Sequence, residues 1–465
     1  MFQSVELPVW ALTLIVGFAA VTFASHFLFP SVRWFFRKRA ERAVARLNQR
    51  LKRPIEPFKL MRRQDQVIRL VYDPQVMEAV RAHARDEGIP PNVAFEKARS
   101  YAREIVPGFS TATYFGFAIR LARRLGEGFY DVVVQAEDQN GLDEVAPEDA
   151  IVFVINHRSN MDYVLVTWLA AQHTALSYAV GEWARIWPLK GFIRAMGAYF
   201  IRRRYANALY RAVLARYVQM SVQQGSTQAI FPEGGLSLDG RVGQGRVGLL
   251  TYILRGWDAR GPRDVIFVPV ALNYDRVLED RLLLAAKASG SRRFRGRPGV
   301  ALAFVARVLW QKLRGRFQGF GQAAVSYGAP VSLRSYMQAN PEADADALGD
   351  LLMKRIQAAM PVLAVPFAAA ALLRSGGRGA WSQLHAASED LLGPDKADTW
   401  PAAAQGELLR KGLDHLALRG MIAKENNIFT VTSGEEAAIA YYAASILQNA
   451  AEVDASPEKP ADTPT

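Results

Sequence analysis

The chain of 465 residues is 50% hydrophobic and has a formal net charge of +13, so it can bury a large core and form more than one domain. It contains no cysteine, which excludes disulfides, thiolate metal sites and cysteine nucleophiles. Between residues 33 and 63 there are twelve Lys and Arg but only two Glu, which gives that segment a charge of +10. Most of the excess charge therefore lies in one short segment, which leaves a non-catalytic membrane scaffold or a nucleic-acid binder as the last-ranked alternative, and we predict no nucleic-acid partner.

Residues 7–29 are almost entirely apolar and long enough to cross about 30 Å of bilayer as a helix. We therefore predict a transmembrane anchor over residues 1–32 and a basic juxtamembrane segment over 33–63 that contacts anionic membrane lipid. Basic residues follow the apolar stretch and only Glu6 precedes it, which predicts a single-pass protein with a cytoplasmic catalytic domain. A cleaved signal peptide is the alternative, although its basic first region is missing.

The next region, residues 64–131, has a helical pattern, with helices expected over 73–86 and over 92–105, the latter capped by Asn92. From 132 to 335, short β-branched runs alternate with helical stretches. This pattern predicts an α/β fold, a sheet flanked by helices. The predicted strands are 132–134, 151–155, 228–231, 265–270 and 323–327. Pro269 would place the fourth of these at a sheet edge or a bulge.

A helical C-terminal region is predicted over residues 336–450, with a hairpin turning at Asn426-Asn427 between two helices. This outline is compatible with a winged helix, but no basic recognition face accompanies it. Residues 451–465 are rich in Pro, Ala and acids, which predicts a disordered tail. The segment 281–316 carries ten Lys and Arg and no acid; it is either a solvated face or a docking patch for an acidic partner.

The octapeptide Asn156-His157-Arg158-Ser159-Asn160-Met161-Asp162-Tyr163 follows the strand-like run 151–155. On one regular helix His157 and Asp162 would point about 140° apart. They converge if His157 leaves the strand end and the next helix, capped by Ser159 or Asn160, carries Asp162 in its first turn. Asp162 would then hold one nitrogen of the imidazole, so that the other can take a proton from a hydroxyl group.

Two further motifs follow strand-like runs. A run ending in Arg202, Arg203 and Arg204 could hold a phosphate through planar guanidinium groups, or it could be an interface patch. In the run 231–237, Glu233 stands beside Gly234 and Gly235, so either the backbone comes close to a ligand whose hydroxyl bonds the carboxylate, or the glycines only form a turn.

A third pattern, Gly243-Gln244-Gly245-Arg246-Val247-Gly248, matches the dinucleotide-binding glycine motif. It does not directly follow a strand, as that motif requires, so we predict no nicotinamide cofactor. The other histidines lack partners at ligand spacing, and we predict no metal site.

Taken together, four motifs resemble the ordered motifs of the glycerolipid acyltransferases. They are Asn156 to Tyr163, the Phe200-Ile201-Arg202-Arg203 run, the Phe231 to Ser237 run and Val268-Pro269-Val270. Within that superfamily they look most like the membrane-bound bacterial glycerol-3-phosphate acyltransferases and the related dihydroxyacetone-phosphate enzymes. Residues 98–105 and the pair Tyr441-Tyr442 also resemble that subfamily.

The resemblance implies an O-acyltransferase of the bacterial inner membrane that moves an acyl chain from acyl-CoA or acyl carrier protein to the sn-1 hydroxyl of glycerol 3-phosphate, the first step of phospholipid synthesis. It implies His157 as general base, Asp162 as the residue that orients it, and no cofactor. The residues that it implies for acceptor binding are Arg202, Arg203, Glu233, Gly234, Gly235 and Ser237.

The chain departs from the family pattern in the third motif. Leu236 stands where the glycerol-3-phosphate enzymes usually have Arg, and Leu238-Asp239-Gly240 stands in place of Arg-Thr-Gly. Arg246 would take the place of the family's downstream lysine. Pro232 is closer to the lysophosphatidate acyltransferases, which leaves that acceptor, or another alcohol, as the alternative.

Overall fold

The structure is a computed structural model of the chain. It describes residues 8–136, 144–171, 174–181, 189–202, 207–290, 310–311, 314, 317, 319–392 and 402–454. The chain divides into two compact units: an N-terminal one that ends at Ile55 and includes Gln172–Thr174, and a larger one that begins at Glu56 and contains the sheet.

The N-terminal unit contains helix α1, Val9–Asn48, which runs without a break through the predicted boundary between residues 32 and 33. The transmembrane prediction for residues 1–32 is not supported. Within the part of the chain that the structure describes, no helix combines the length and the apolar character needed to cross a bilayer.

Short helices precede the sheet, as the helical pattern of residues 64–131 predicted. They are α2 Pro57–Leu60, α3 Arg63–Val71, α4 Pro74–Asp86, α5 Pro91–Ile105, a π-helix Ala112–Ala118 and α6 Ile119–Phe129. The Asp73 side chain caps α4 by accepting a hydrogen bond from the Gln75 backbone N–H. The prediction that Asn92 caps α5 is wrong: that helix begins at Pro91, because a proline at the first helical position has a suitable φ and needs no N–H partner.

The α/β prediction is confirmed by a mixed sheet flanked by helices. Its strands are β1 Asp131–Ala136, β2 Ala150–Ile155, β3 Ser177–Val180, β4 Tyr199–Phe200, β5 Gln228–Ile230, β6 Val265–Tyr274, β7 Gln322–Tyr327 and β8 Val331–Ser332. Their order is β1-β7-β6-β2-β5-β3-β4, with β8 also paired to β6. Strands β6, β2, β5, β3 and β4 are mutually parallel, so their carboxyl ends lie along one edge, where open α/β sheets bind ligands.

The sequence predicted a sheet edge or a bulge at Pro269, but Pro269 does not lie at an edge, and the register of β6 with β2 runs unbroken through it. It pairs with Val154 of β2 on one side of β6. On the other side, β6 pairs with β8 as far as Phe267 and with β7 from Val270 onward. Pro269 therefore stands in the gap between these two partners, where its missing N–H leaves no strand acceptor unpaired.

The remaining helices cover the sheet and form the C-terminal region. They are α7 Met161–Ala170, α8 Leu189–Ala195, α9 Ala208–Gln223, α10 Gly248–Gly256, α11 Asp280–Ala288, α12 Leu333–Ala339, α13 Ala345–Ala358, α14 Ala364–Arg374, α15 Trp381–Glu389, α16 Ala402–Leu418 and α17 Glu436–Asp454. Apolar residues of α3, α4, α5, α9, α10 and α13 join those of β2 and β6 in one core.

A small second sheet lies in the C-terminal region, with the order β10-β11-β9. Its strands are β9 Arg378–Ala380, β10 Ile422–Glu425 and β11 Ile428–Val431. The predicted hairpin is confirmed: Asn426 and Asn427, both with positive φ, connect β10 and β11. The prediction of a disordered tail is wrong for residues 451–454, which form the end of α17. Residues 455–465 of that tail lie outside the described residues, as does most of the basic segment 281–316.

Phe267 lies at the centre of β6 and is completely buried. Phe267→Ala should lower the free energy of unfolding by about 3–5 kcal/mol, because it removes apolar burial and leaves a cavity. The exposed Phe117 is the matched control, since Phe117→Ala removes little burial. Urea unfolding of both variants measures the difference, and equal losses for the two would contradict this account of the core.

Candidate active site

The central feature of the candidate site is the loop between β2 and α7. His157 leaves the end of β2, and α7 begins at Met161, so Asp162 stands in the first turn of that helix. The Nδ1 atom of His157 lies 2.8 Å from Oδ2 of Asp162, and both side chains are buried. The predicted convergence of these two residues is therefore confirmed.

Four hydrogen-bonding groups converge on the Asp162 carboxylate. Its Oδ2 faces the His157 Nδ1 and accepts from the backbone N–H groups of Arg158, at 2.8 Å, and Ser159, at 3.0 Å. The hydroxyl of Tyr274, the last residue of β6, donates to Oδ1 at 2.5 Å. A carboxylate can only accept in these bonds, so they place a proton on Nδ1 of His157 and assign Nε2 as the acceptor nitrogen.

The pKa of Tyr274 lies well above its ordinary value, because the phenol is buried and the negative charge of Asp162 lies beside it. The hydroxyl therefore keeps its proton and remains a hydrogen-bond donor to Asp162 across the physiological pH range.

The start of α7 is held by a second carboxylate, Glu279. Its Oε2 accepts from the Ser159 hydroxyl at 2.8 Å, and its Oε1 accepts from the Asn160 side-chain amide at 2.9 Å. The predicted cap is only partly correct: Asn160 is the N-cap residue but makes no side-chain cap bond. The Ser159 hydroxyl instead accepts from the Met161 backbone N–H at 3.2 Å.

The loop after β5 brings Glu233 to the dyad. Its Oε1 accepts from the His157 backbone N–H at 2.9 Å, and the His157 carbonyl accepts from the Ser237 N–H at 2.8 Å. Burial raises the pKa of Glu233 to about 7, although hydrogen bonds from the backbones of His157 and Gly243 act in the opposite direction. Glu233 is therefore a carboxyl group that can gain or lose a proton near neutral pH.

The backbone conformation of this motif requires glycine at one position, Gly234. Gly234 has a φ of +68°, and a Cβ there would lie 3.0 Å from the Arg246 side chain. Arg246 donates its backbone N–H to the Pro232 carbonyl at 2.8 Å, which brings Arg246 and Gly234 together beside Glu233. Gly235 lies next in the same loop and is half-buried.

Ser237 closes this loop on itself. Its hydroxyl donates to the Arg241 carbonyl at 2.8 Å and accepts from the Gly240 N–H at 3.1 Å. The structure thus gives the Ser237 side chain a role in shaping the loop.

An apolar cleft of about 170 Å³ opens beside His157. The rings of Phe231 and Tyr163 lie 4.6 Å and 5.3 Å from the His157 ring, centroid to centroid, and both residues line the cleft together with Pro232 and Arg246. Its other lining residues come from β3 and β5, from the residues after β3, β4 and β5, and from the start of α10: Ala179, Val180, Gly181, Ile201, Ile230, Gly234, Gly248 and Leu249.

Arg202 lies farther along the same sheet edge, after β4. Three strand spacings separate β2 from β4, or about 14 Å. The Nε and Nη2 atoms of Arg202 donate to the two carboxylate oxygens of Glu104 at 2.8 and 2.6 Å. This pairing raises the pKa of Arg202 above its usual range. The guanidinium also lies over the rings of Tyr101 and Tyr210. Arg203 and Arg204 lie outside the described residues.

The sequence predictions missed Tyr274, Glu279 and Glu104. Tyr274 comes four residues after Val270, within the same strand as the fourth motif, so a strand extended to its carboxyl end could have identified it. Glu279 and Glu104 contact the site from 119 and 98 residues away along the chain, and no local spacing indicates such contacts. Among the described residues, no group of three or more His, Asp and Glu could hold a metal ion.

Two family models match the chain. The model described as Acyltransferase matches residues 138–273, which include His157, Asp162, Arg202 and Glu233. This match covers β2 to β5, nearly all of β6 and the loop that carries His157 and Asp162. The model described as Glycerol-3-phosphate acyltransferase C-terminal region matches residues 307–448. The two matches follow each other along the chain and assign these regions to an acyltransferase domain and to a glycerol-3-phosphate acyltransferase C-terminal region.

Curated relatives agree with this assignment. The chain is 32% identical to the glycerol-3-phosphate acyltransferase of Pseudomonas entomophila over 275 residues, which cover 58% of this chain and 31% of the relative. It is 30% identical to that of Xanthomonas campestris over 279 residues, covering 59% and 30%. The chain therefore matches about a third of the length of these relatives.

Among solved structures, the chain resembles the 1-acyl-sn-glycerophosphate acyltransferase of Thermotoga maritima. The two share 16% identity with a TM-score of 0.32, over 52% of this chain and 76% of the other. This similarity is too low to support conclusions about this chain.

The raised pKa of Glu233 predicts a pH-dependent stability. The folded protein holds a proton at Glu233 up to about pH 7, whereas the unfolded chain releases it near the ordinary value of 4.5. The free energy of unfolding should therefore fall as pH rises between these values, and this component should be absent in Glu233→Gln.

Urea unfolding of wild type and Glu233→Gln from pH 4.5 to pH 8 measures the effect, and Glu342→Gln, at an exposed carboxylate, is the control. The free energy of unfolding of wild type should fall relative to that of Glu233→Gln as pH rises to about 7. Above pH 7 the difference between the two should change little. A difference that stays constant with pH would contradict a Glu233 pKa of about 7.

Proposed function

We propose that the protein is a glycerol-3-phosphate 1-O-acyltransferase, which transfers an acyl chain from acyl-CoA or acyl carrier protein to glycerol 3-phosphate. The observation that carries this proposal is the 2.8 Å contact between His157 Nδ1 and Asp162 Oδ2, in a loop bonded to the Glu233 motif. The activity named for the Pseudomonas and Xanthomonas relatives supports it.

In this mechanism Nε2 of His157 takes the proton of the acceptor hydroxyl as its oxygen attacks the thioester carbonyl carbon. The tetrahedral intermediate then collapses, the carbon–sulfur bond breaks, and the thiolate receives the proton from the imidazolium. Asp162 stabilises the imidazolium through Nδ1 and keeps the ring in the correct tautomer. The reaction needs no covalent acyl-enzyme and no cofactor.

We assign acceptor binding to the loop after β5 and to cations at the same sheet edge. Glu233, Gly234, Gly235 and Ser237 shape the pocket beside His157, and Arg246 supplies a positive charge next to Gly234. Arg202 and Arg203 are proposed to bind the phosphate. Since Glu104 occupies Nε and Nη2 of Arg202, phosphate would bind through Nη1 or displace this carboxylate.

We also propose that the protein works at a membrane lipid surface in bacteria, with the basic segment 33–63 facing anionic lipid through residues 33–53. At its end, Lys59 donates instead to the Ala175 carbonyl and Arg63 to the Val106 and Arg103 carbonyls. The charge of +10 over the whole segment, most of it in residues 33–53, supports this proposal.

Lysophosphatidate is the second candidate acceptor, favoured by Leu236 and Pro232 in the third motif. Leu236 removes one cation from the loop that would contact phosphate. Lysophosphatidate brings a second acyl chain, which apolar residues such as Leu236 and those of the neighbouring cleft could accommodate.

Product identification with the purified full-length protein decides between the acceptors. Acyl-CoA or acyl carrier protein is supplied with either glycerol 3-phosphate or lysophosphatidate, and the lipid products are analysed by mass spectrometry. We expect 1-acylglycerol 3-phosphate from glycerol 3-phosphate. Transfer to lysophosphatidate with none to glycerol 3-phosphate would refute the leading proposal and support the second.

The base assignment predicts the effect of His157→Ala. Loss of general base catalysis should lower kcat by about 10²- to 10⁴-fold. Asp162→Asn should also lower kcat strongly, because an amide can donate to Nδ1 and favour the wrong tautomer. Circular dichroism should show both variants folded. A folded His157→Ala variant with wild-type kcat would exclude His157 as the base.

The phosphate assignment predicts that Arg202→Gln raises the KM for glycerol 3-phosphate by about tenfold, and the KM for the acyl donor much less. Arg99→Gln is a matched control, because Arg99 is a more exposed arginine paired with Glu96 on α5. If Arg202→Gln leaves the acceptor KM unchanged, Arg202 is a structural partner of Glu104 and not a phosphate ligand.

A further inference from the structure

The C-terminal helix α17 contacts the catalytic loops through three residues. These contacts join the region matched by the C-terminal family model to the loop of the dyad. The α17 residues that make these contacts are Tyr441, Tyr442 and Gln448, which lie about 280 residues after His157 in the sequence.

Tyr441 holds Arg158, the residue between His157 and Ser159. The Arg158 guanidinium lies 5.5 Å from the centre of the Tyr441 ring and is almost fully buried. Its Nη1 donates to the Gly240 carbonyl at 2.6 Å. Because the Arg158 backbone N–H is one of the donors to Asp162, the position of the Arg158 side chain affects the orientation of the dyad.

The Tyr441 backbone also contacts the loop after the Glu233 motif. Gly240 has a φ of +82°, and a Cβ at this position would lie 1.8 Å from the Tyr441 carbonyl oxygen. Two turns further along α17, the Gln448 side chain accepts from the Val242 N–H at 2.9 Å and donates to the Val242 carbonyl at 3.0 Å. Only glycine therefore fits at position 240, and α17 fixes both ends of residues 240–242.

Tyr442 holds the loop after β6. Its hydroxyl accepts from the Val277 N–H at 3.0 Å and donates to Asp280 Oδ2 at 2.8 Å. Arg419 pairs with the same carboxylate and lies over the Tyr442 ring. Between Val277 and Asp280 stands Glu279, whose carboxylate bonds Ser159 and Asn160 at the start of α7.

We propose that Tyr441 and Tyr442 are positioning residues that hold His157 and Asp162 in their reactive geometry from the C-terminal region. Tyr441 acts through Arg158, and Tyr442 acts through the segment that carries Glu279. This inference rests on the proposed function, since the geometry matters for turnover only if His157 and Asp162 carry out the reaction.

The Tyr441 hydroxyl provides a discriminating variant. It is buried and has no hydrogen-bond partner among the described residues, so the contact with Arg158 depends on the ring alone. Tyr441→Phe keeps that ring over the guanidinium. Tyr441→Leu keeps an apolar side chain but removes the aromatic face.

Steady-state kinetics of the full-length protein test the proposal. Tyr441→Leu should lower kcat by about tenfold or more and leave both KM values within about twofold, because positioning affects the reaction step more than ground-state binding. Tyr441→Phe should retain wild-type kcat. The control Leu413→Ala, at a buried residue of α16, should lower the melting temperature without lowering kcat below that temperature.

Hydrogen exchange gives a readout independent of activity. The Arg158 and Ser159 amides should exchange faster in Tyr441→Leu than in wild type, Tyr441→Phe or Leu413→Ala. If wild type transfers no acyl chain to either acceptor, the proposed function fails. The positioning role would still be supported if the Arg158 and Ser159 amides exchange faster in Tyr441→Leu but not in the other variants.

The proposal is overturned if folded Tyr441→Leu keeps wild-type kcat and exchange, or if Tyr441→Phe is as impaired as Tyr441→Leu. Should Tyr441→Leu not fold, Tyr442→Phe applies the same test at the second contact, since it removes only the hydroxyl bonded to Val277 and Asp280. It should lower kcat several-fold with both KM values unchanged, and an unchanged kcat would overturn the proposal.

Discussion

The Asp162 carboxylate is the interaction on which the rest of the site depends. It binds His157 Nδ1, two successive backbone N–H groups and the Tyr274 hydroxyl. A buried carboxylate is stable only when its oxygens are satisfied, so these bonds fix the loop, the imidazole and the end of β6 relative to each other. The bonds that stabilise the buried Asp162 carboxylate therefore also fix the position of the His157 ring.

Parallel strand ends explain why distant motifs meet there. The carboxyl ends of β2, β5 and β6 and the residues just after them lie at one edge of the sheet. This brings Glu233 and Tyr274 to His157, although 76 and 117 residues separate them from it in the chain. Glu233 contacts the His157 backbone rather than its ring. The Glu233 motif therefore shapes both the acceptor pocket and the loop that carries the base.

The sequence predicted the elements whose signals are local. The strand 151–155, the convergence of His157 with Asp162 and the hairpin at Asn426-Asn427 all follow from residue types at short spacing, and the structure contains them. Arg202 shows the limit of this approach: its position at a strand end was predicted, but its pairing with Glu104 was not, because that contact depends on how α5 packs beside β4. The same holds for Pro269, whose place in a central strand depends on where β7 ends and β8 begins.

The central claim is that Asp162 holds His157 with its proton on Nδ1 and with Nε2 as the base. Nitrogen-15 NMR of the histidines measures this directly, and His157→Ala identifies the signal among the six histidines of the chain. Neutral His157 should be the Nδ1–H tautomer, and Asp162→Asn should abolish this preference. A neutral His157 protonated on Nε2, or a tautomer unaffected by Asp162→Asn, would contradict this claim.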